Sequence, residues 1–517
     1  MVAQEHFDKE SLTGFVAELK TSGFSPVEGS ALRRWRGPIH PAFKELTDAA
    51  TMDIAIMPGW PFQPPALVVQ GLNTNHSTLG GFVCLWQDGD FSLEWTTVAG
   101  LFSRIEEWCE NVRLGWEGQD LGRDALLNFK DKYAYAAIFD LPALDIRKGS
   151  WGDCRASVKP YPVRVDILPG RRQAANELRA MWFHAGQLKS PPPRQLSEVF
   201  SSLPRSQCKG LEKALSERRN PRDLVASGGV DIILFCWEWN GRTDLLVMAC
   251  KGTGETVEAI ALQPGPNDEK TLILRAGPDA PELVKRKAVV LGAGALGGHT
   301  ALTLAESGLG SIEIVDHDVL LPGNVVRHVA GHRQVGKRKV EAVRAVIADH
   351  APWTKVSVYE KLAPVRTPDE VREIVMDADV IVDATGSETL AYSLAMVAES
   401  EEKALVSGAL YRGGFVGRVQ RQALPGDTPI HQRGDQSRYP SIPPGDESEE
   451  FAIPQLGCSA PVNNAPPSAV LACASTIVQV AVDTLVGRYE FPDEVIDVYR
   501  AIPEPPFNRL GRLSVAA

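Results

Sequence analysis

The chain has 517 residues, a formal net charge of −11 and a hydrophobic content of 44%. This length predicts about three domains, and the composition supplies enough apolar residues for ordinary globular cores. The negative charge, with basic residues dispersed rather than clustered, argues against broad nucleic-acid binding.

Eight cysteines spread over this length are not typical of a disulfide framework, and the sequence has no C-x-x-C pair for a structural zinc. The N-terminal residues lack the apolar core of a signal peptide, and no apolar run of about 18 residues occurs. We therefore expect a cytoplasmic protein with reduced thiols and no membrane partner.

The first part of the chain alternates a helix with short β runs. Apolar residues at helical spacing predict a helix over residues 9–20, and β runs follow at 31–39, 50–56 and 66–69. A further helix with one apolar stripe is predicted after Trp95. This order predicts a small α+β domain.

Three motifs lie between these elements. Residues 60–65 read W-P-F-Q-P-P, His76 stands eight residues before Cys84, and Cys84-Leu85 follows a Gly-Gly pair. Together with Trp95, these features resemble a ubiquitin-conjugating domain over roughly residues 5–115. The resemblance implies that Cys84 is a catalytic thiol that carries an acyl group, with His76 beside it.

The sequence departs from that family at one tripeptide. The family's His-Pro-Asn reads His76-Ser77-Thr78 here, so the Asn credited with supporting the oxyanion during amide formation is replaced. The resemblance therefore implies thioester formation on Cys84 more strongly than transfer onto a lysine.

Most of the remaining cysteines carry no predicted chemistry. Four lie in apolar stretches and are predicted to be core residues, namely Cys109, Cys236, Cys250 and Cys473. Cys154 and Cys208 are predicted to lie in polar loops without a role.

The stretch from 120 to 280 carries few signals. A proline-rich break at 191–193 and a β pair at 232–239 and 245–249 predict an α+β linker domain.

A glycine turn follows this stretch. A β run at 288–291 enters Gly292-Ala-Gly294-Ala-Leu-Gly297, a helix-like segment follows, and a second β run ends on Asp316. This is one βαβ unit with a phosphate site at the helix N-terminus, where glycines let backbone N–H groups approach a polyphosphate. Asp316 is placed to hydrogen-bond a ribose hydroxyl. The first hypothesis is a dinucleotide site.

The residues after Asp316 favour ATP cleavage instead. Asp318, Asn324, Arg327 and Lys339 follow in series. Cations offset charge that develops on phosphates, and an Asn can hold a ribose or phosphate oxygen. The series resembles the D-x-D…N-x-x-R-[QH]…G-x-x-K signature of the ThiF/MoeB/ubiquitin-activating superfamily, whose members adenylate the C-terminal carboxylate of a small protein.

This second resemblance covers roughly residues 281–480 and implies a Rossmann-like α/β adenylation fold that binds ATP and Mg²⁺. It implies a nucleotide site made of Gly292, Gly294, Gly297, Asp316, Asp318, Asn324, Arg327, Lys339 and Asp383. Arg327 is also expected to act in catalysis. Asp383 ends a β run and suits a magnesium ligand, but many relatives carry that Asp where Gly386 stands. Either Asp383 or another acid therefore binds the metal.

Cys458 lies in residues 424–467, which are rich in Pro, Gly and acids and suit a mobile surface crossing. A thiol that reaches an acyl-adenylate needs such a loop, so Cys458 is the predicted first nucleophile. The alternative is an incidental loop thiol.

These features predict a ubiquitin-conjugating-like domain at 1–140, a linker domain at 141–280 and a ThiF-type adenylation domain at 281–517. The combination is similar to the fused activating and conjugating enzymes of bacterial CBASS antiphage operons. The implied partner is a ubiquitin-like protein or a CBASS nucleotidyltransferase, joined by its C-terminus, and the implied assembly is a homodimer. Three alternatives stay open: an activator of a sulfur-carrier protein, an adaptor whose conjugating-like domain is inactive, and a NAD dehydrogenase.

Overall fold

The structure is a computed structural model that describes residues 8–31, 33–86, 89, 92–116, 125–188, 191–239, 241–359, 368–434, 436, 438–444, 452–453 and 462–513. The chain divides into two compact units, Met1–Asp268 and Glu269–Ala517.

The first unit contains a five-stranded antiparallel sheet and a closed barrel. Its helices are α1 (Lys9–Thr21), α2 (Val98–Arg113), α3 (Ala125–Asn128), α4 (Leu196–Ser202) and α5 (Arg205–Ser216). The strands of the sheet, in spatial order, are β1 (Ser25–Pro26), β2 (Arg34–Pro38), β3 (Thr51–Ala55), β4 (Ala66–Val68) and β5 (Phe82–Val83). The strands of the barrel are β6 (Lys132–Phe139), β7 (Trp151–Pro160), β8 (Val163–Pro169), β9 (Leu178–Gln187), β10 (Ile232–Trp239), β11 (Arg242–Lys251) and β12 (Glu258–Pro266).

One apolar core joins the five-stranded sheet to α1 and α2. Phe15 and Leu19 of α1 pack into it with Trp60, and α2 contributes Leu101 and Ile105. The helix and strand patterns predicted for this region are confirmed within a few residues, because one face of each element is apolar and the other polar.

Three of the strand pairs that close the barrel are parallel, namely β9 with β10, β12 with β6 and β6 with β8. Alternate residues of β10 enter different cores, since successive side chains point to opposite faces. Ile233 and Phe235 pack with Leu211 of α5, whereas Ile232 and Leu234 pack with residues of β7 and β8. A closed barrel with helices against one side therefore fills the stretch predicted to be an α+β linker domain.

Two predictions about cysteines in this unit are wrong. Cys154 lies in β7 and is 1% exposed, because its side chain is on the buried face of the barrel. Cys208 lies in α5 and is half-buried. The polar neighbours of Cys154, Asp153 and Arg155, point to the opposite face of β7, and Cys208 lies between buried Gln207 and exposed Lys209 on α5.

The second unit is built on an eight-stranded mixed sheet. The strands of this sheet are β13 (Lys287–Leu291), β14 (Ser311–Val315), β15 (Lys355–Tyr359), β16 (Val380–Asp383), β17 (Ala404–Tyr411), β18 (Val416–Gln422), β21 (Glu494–Val498) and β22 (Gly511–Leu513), and a separate pair is formed by β19 (Ala452–Ile453) and β20 (Val462–Asn463). The helices are α6 (Glu269–Ile273), α7 (Ala280–Leu283), α8 (Ala295–Glu306), α9 (Lys339–His350), α10 (Pro368–Val375), α11 (Glu388–Ser400) and α12 (Pro467–Leu485).

The order of the large sheet is β15-β14-β13-β16-β17-β18-β21-β22. The first five of these strands are parallel, and the last three add antiparallel pairs. The chain goes from β13 to β14 and β15 on one side and then returns to β16 on the other. In such sheets ligands bind outside the carboxyl ends of the strands where the direction reverses, here at β13 and β16.

Helix α12 is long and apolar enough to cross a membrane by length and composition, and it is the one such helix among the described residues. Its most apolar stretch is 72% buried. Cys473, Ile477 and Ala481 of α12 belong to the same core as Ala301 of α8 and Val406 of β17. In this structure α12 is therefore a core helix.

The domain limits at 140 and 280 lie near two features of the fold. The barrel begins with β6 at Lys132, and the second compact unit begins at Glu269. The division into three domains stays a prediction.

Candidate functional site

A cavity of about 430 Å³ lies at the carboxyl ends of β13, β14 and β16. This volume is within the usual range for small-molecule sites. The described residues that line it are Leu291, Gly292, Gly294, Val315, Asp316, His317, Asp318, Lys339, Ala384, Thr385, Ser387, Thr389, Leu390 and Ser393. Five of the predicted nucleotide-binding residues are among them.

The three glycines of the turn serve different purposes. Gly292 has φ +90° and a Cβ there would meet the backbone of Ala384 at 3.0 Å, so the conformation and the space both require glycine. A Cβ on Gly297 would lie 1.8 Å from the carbonyl oxygen of Gly292. At Gly294 a Cβ would meet nothing within 4 Å. Gly294 therefore leaves open space at the cavity wall, where α8 begins.

Ala293, the residue between two of these glycines, is held from both sides. Its N–H donates to Oδ2 of Asp316 at 2.7 Å, and its carbonyl oxygen lies 2.8 Å from Nε2 of His328. The other oxygen of Asp316 accepts the N–H of Asp318 at 2.7 Å. Asp316 thus shapes the turn in addition to facing the cavity.

His328 has a fixed tautomer in this arrangement. Its Nδ1 accepts the N–H of Ala330 at 3.0 Å, so Nε2 carries the proton and donates to the carbonyl oxygen of Ala293. Burial lowers the pKa of His328, and the side chain is 7% exposed. His328 belongs to the motif that carries the resemblance, but its contact with Ala293 depends on the fold and could not be predicted from the sequence.

Asp318 and Lys339 form an ion pair at the cavity wall. Nζ of Lys339 lies 2.6 Å from Oδ2 of Asp318, and the Lys339 N–H donates to the Asp318 carbonyl oxygen at 2.8 Å. Burial opposes the charge on Asp318, but its hydrogen bond and ion pair with Lys339 leave its pKa lowered. Lys339 stands at the first position of α9, so a cation is fixed beside the cavity.

Asn324 and Arg327, also predicted to bind nucleotide, are not among the described residues that line the cavity. Oδ1 of Asn324 accepts the N–H of Leu321 at 2.9 Å, and the Arg327 N–H donates to the Asn324 carbonyl oxygen at 3.2 Å. The Arg327 side chain is half-buried, and this burial lowers its pKa. Both residues lie on the short turn that leads to His328.

Asp383 ends β16 and is 2% exposed. Its Oδ1 accepts the Thr385 hydroxyl at 2.7 Å and its Oδ2 accepts the Ser407 hydroxyl at 2.7 Å. Burial raises the pKa of Asp383. It lines a second, smaller cavity with Ser387, Arg418 and others, and Ser387 lines both cavities.

A second group of possible metal ligands lies in the first cavity. One ligand atom each from Asp316, His317 and Asp318 lies within 4.8 Å of the others. His317 has no role predicted from the sequence, because one histidine between two acids carries no distinct spacing signal.

The first unit presents Cys84 directly after β5. Its side chain is exposed, its N–H donates to the His76 carbonyl oxygen at 2.9 Å, and its Sγ lies 3.7 Å from the Trp86 carbonyl oxygen. His76 has φ +57°, and its ring centroid is 4.1 Å from that of Trp116. The structure therefore brings His76 and Cys84 together through their backbones.

The other cysteines among the described residues are buried or half-buried, unlike the exposed Cys84. Burial raises the pKa of Cys109, Cys154, Cys250 and Cys473 to about 12. The core positions predicted for Cys109, Cys236, Cys250 and Cys473 are confirmed. Cys458 lies outside the described residues.

Residues 273–496 match the ThiF family. This part of the chain therefore has the Rossmann-like α/β fold of that family, and the fold class predicted for it is confirmed. The match covers the whole glycine turn, Asp316, Lys339 and Asp383.

Curated relatives match over shorter stretches. The chain is 31% identical to the uncharacterized protein y4oA of Sinorhizobium fredii over 36% of its own length and 33% of that protein. It is 32% identical to the probable adenylyltransferase/sulfurtransferase MoeZ of Mycobacterium tuberculosis, covering 31% of this chain and 40% of MoeZ. It is 30% identical to the ATP-dependent ubiquitin transferase-like protein Cap2 of Pseudomonas aeruginosa, over 25% of this chain and 23% of Cap2. The chain therefore spans well under half the length of each of these relatives.

Proposed function

We propose that the second unit uses ATP to adenylate the C-terminal carboxylate of a partner protein. The observation that carries this proposal is the cavity at the strand-order reversal, with the open wall at Gly294 facing Lys339 and Asp316. Backbone N–H groups at the start of α8 suit an anion, and Lys339 adds a cation beside them.

In the proposed first step, a carboxylate oxygen of the partner attacks the α-phosphorus of ATP. The bond from that phosphorus to the bridging oxygen breaks, and pyrophosphate leaves. Lys339 offsets charge on the phosphates. Each Asp316 oxygen already accepts one N–H, from Ala293 or Asp318, and its remaining lone pair accepts a ribose hydroxyl. The smaller cavity lined by Asp383 and Ser387 adjoins the nucleotide cavity, so we assign it to the end of the partner chain.

Asp383 fits a magnesium ligand in its chemistry. Its carboxylate is buried and its pKa is raised by that burial, so a divalent cation would compensate for the missing solvent. The hydroxyls of Thr385 and Ser407 orient its two oxygens. Bound Mg²⁺ would supply charge neutralisation for the phosphates.

The later steps use the thiols of Cys458 and Cys84. The Cys458 thiolate attacks the acyl carbon of the mixed anhydride, AMP leaves, and a thioester forms. The Cys84 thiolate then attacks that thioester and releases the Cys458 thiolate. Finally an amine attacks the Cys84 thioester, loses its proton and releases the thiolate. Thioester exchange is nearly isoenergetic, so ATP cleavage supplies the driving force and proximity governs the later rates.

The likeness to Cap2, an ATP-dependent ubiquitin transferase-like protein by name, supports transfer of the activated carboxylate. The role in antiphage defence is what the resemblance to the fused enzymes of CBASS operons implies. The partner would be a ubiquitin-like protein or a CBASS nucleotidyltransferase. The order of motifs around His76 and Cys84 supports a conjugating-like domain ahead of the adenylation domain.

The likeness to MoeZ supports a second candidate, in which the chain activates a sulfur-carrier protein. That candidate gives no task to Cys84, although Cys84 is exposed next to His76. A third candidate is an adaptor in which Cys84 is idle, as the replacement of the family's Asn by Thr78 would allow.

The proposal is tested by ATP–pyrophosphate exchange. Each protein encoded beside this gene is supplied with its natural C-terminus and, as a control, without its last residues. We expect exchange only with the intact partner and release of AMP rather than ADP. Release of ADP and phosphate would refute adenylation, and a thermal shift with NAD but not ATP would restore the dehydrogenase hypothesis.

A further inference from the structure

Arg194 is a buried arginine between the two parts of the first unit. It stands before α4 on the barrel side of this unit and is 6% exposed. Its N–H donates to Oε2 of Glu198 at 2.9 Å, and its guanidinium lies 3.3 Å from Oε1 of the same residue. Its carbonyl oxygen accepts the Lys130 N–H at 2.8 Å. Glu198 and the backbone therefore fix the position and charge of Arg194.

The free end of the guanidinium reaches into the other part of the unit. Nη1 donates to the Leu72 carbonyl oxygen at 3.0 Å, and Nη2 donates to Oδ1 of Asn73 at 2.9 Å. Leu72 is 4% exposed and belongs to the core shared by the five-stranded sheet, α1 and α2. The rigid fork of an arginine suits two acceptors at fixed spacing, whereas one ammonium does not.

The residues that Arg194 holds lead directly to Cys84. The Ser77 hydroxyl donates to the Thr74 carbonyl oxygen at 2.8 Å, and Ser77 pairs with Val83 in an isolated bridge. The Cys84 N–H then returns to the His76 carbonyl oxygen at 2.9 Å. Hydrogen bonds thus tie the segment from Thr74 to Ser77 to the strand that ends at Cys84, and Asn73 directly precedes Thr74 in the chain.

A second arginine holds the other end of the same segment. Nε of Arg104, on α2, donates to the Leu85 carbonyl oxygen at 2.8 Å, and its guanidinium lies 5.4 Å from the ring centroid of Trp86. The segment 72–86 is thus held on both sides of Cys84. Arg194 from the barrel side holds it before Cys84, and Arg104 of α2 holds it after Cys84.

Stability alone gives little reason for a buried arginine at this place. Apolar side chains of similar volume often replace a buried ion pair without loss of stability. The specific property of Arg194 is the geometry that it imposes on the backbone at Leu72 and Asn73.

We infer that Arg194 is a positioning residue through which the barrel sets the placement of Cys84. It acts through the backbone of residues 72–77 and touches no reacting atom. The inference rests on the proposed function in one respect: the thiol that it places is the one that carries the acyl group.

The test compares Arg194→Met, Arg194→Lys and Asn73→Ala with the unchanged chain. Hydrogen exchange of the Thr78 and Cys84 amides, which donate to the Phe82 and His76 carbonyl oxygens, is measured, together with the rate at which iodoacetamide alkylates Cys84 across pH. For Arg194→Met we expect exchange at these amides to be at least about tenfold faster, since two charged hydrogen bonds are lost, and a changed alkylation profile. Arg194→Lys should rescue part of the effect, because an ammonium reaches one acceptor.

Asn73→Ala covers the case in which Arg194→Met does not fold. Asn73 is exposed, so this variant removes one hydrogen bond while Arg194 keeps its ion pair with Glu198, and a smaller change in the same direction is expected. The matched control is Arg155→Met, which removes another partly buried arginine of the barrel, paired with Glu177 at 2.8 Å.

The outcomes separate this inference from the proposed function. The inference would be overturned if the exchange and alkylation rates were unchanged in both Arg194→Met and Asn73→Ala. It would also be overturned if Arg155→Met changed these rates equally. Acyl transfer to Cys84 that is absent even in the unchanged chain would refute the proposed relay, and exchange and alkylation would still decide whether Arg194 places the loop.

Discussion

The Asp316 carboxylate holds the backbone N–H of Ala293 at 2.7 Å. This contact joins the end of β14 to the glycine turn after β13, so the acid expected to bind a ribose also determines the shape of the phosphate site. Together with His328 on the Ala293 carbonyl oxygen, it fixes the turn before any nucleotide is present. Pre-formed sites of this kind avoid the free-energy cost of ordering on binding.

Gly294→Val and Gly297→Ala should separate nucleotide binding from packing. At Gly294, with φ −76° and open space around a Cβ, Val fills the cavity wall without strain. We expect little change in melting temperature and at least about tenfold weaker ATP binding, or about 1.4 kcal/mol. At Gly297 the added Cβ meets the Gly292 carbonyl oxygen at 1.8 Å, so we expect destabilisation of about 1–3 kcal/mol or more. Calorimetric titration and thermal unfolding measure the two effects, and equal losses of stability would contradict this division.

Arg327→Ala should remove most ATP–pyrophosphate exchange. A charge-assisted hydrogen bond to a phosphate contributes about 1.5–3 kcal/mol, so a loss of roughly ten- to 150-fold is expected. The control is Arg333→Ala, which removes an exposed arginine six residues later on the same connection. A similar loss in both variants would show that Arg327 contributes only general positive charge.

The stability of the second unit should fall as the solution becomes acidic. Burial holds the pKa of His328 below its ordinary value of 6.5, so below that pH the unfolded chain binds a proton that the folded chain excludes. The contribution of His328 is therefore complete above about pH 6.5 and is lost as the pH falls toward the lower folded pKa. The free energy of unfolding in urea is measured from about pH 7 to about pH 5, with hydrogen exchange of β13 and α8 as the probe. Its slope against pH gives the effect.

His328→Asn should flatten that pH dependence, because the substituted side chain does not titrate in this range. His332→Asn, at an exposed histidine nearby, should leave the slope unchanged. Burial also lowers the pKa of His299, so part of the slope should persist in the first variant. A slope that is identical in all three proteins would mean that other groups control acid unfolding.

The two thiols should act in a fixed order, Cys458 first and Cys84 second. Cys458→Ala should retain pyrophosphate exchange and lose every thioester, since no nucleophile reaches the adenylate. Cys84→Ala should keep a reductant-sensitive adduct on Cys458 and lose the final amide. Non-reducing gels of both variants with ATP and partner test this order, and a thioester on Cys84 in the Cys458→Ala protein would reverse it.

The adenylation domain should form a homodimer. One glycine-turn motif occurs in 517 residues, whereas the resemblance implies paired domains that share cations between their sites. Light scattering at micromolar concentration should give twice the mass of the chain. A mass of one chain under those conditions would count against pairing.

The second unit could be predicted closely because its signals are local. The glycine turn, the apolar run before it and Asp316 after it lie within 30 residues, and each element has its own pattern. The barrel could not be predicted in this way. Its closure depends on the pairs β9 with β10 and β6 with β12, whose paired residues are about 50 and about 130 positions apart. Local alternation carries no information about such pairing.

The candidate sites show the same division. Gly294 and Lys339 were found from spacing, and both line the cavity. The contact of His328 with Ala293 and the reach of Arg194 to Leu72 join residues 35 and 122 positions apart, so no sequence window contains either pair. The roles proposed for Cys84, Cys458 and Asp383 stay predictions.

The burial of α12 also has a consequence for the newly made chain. Four of the elements that pack on it, α8, β16, β17 and β18, precede it in the sequence, and β21, whose Val495 belongs to the same core, follows it. When residues 467–485 leave the ribosome, the four preceding elements have already been synthesised. A segment with the length and apolarity of a membrane span can therefore be covered during translation, which shortens its exposure to insertion machinery and to other nascent chains.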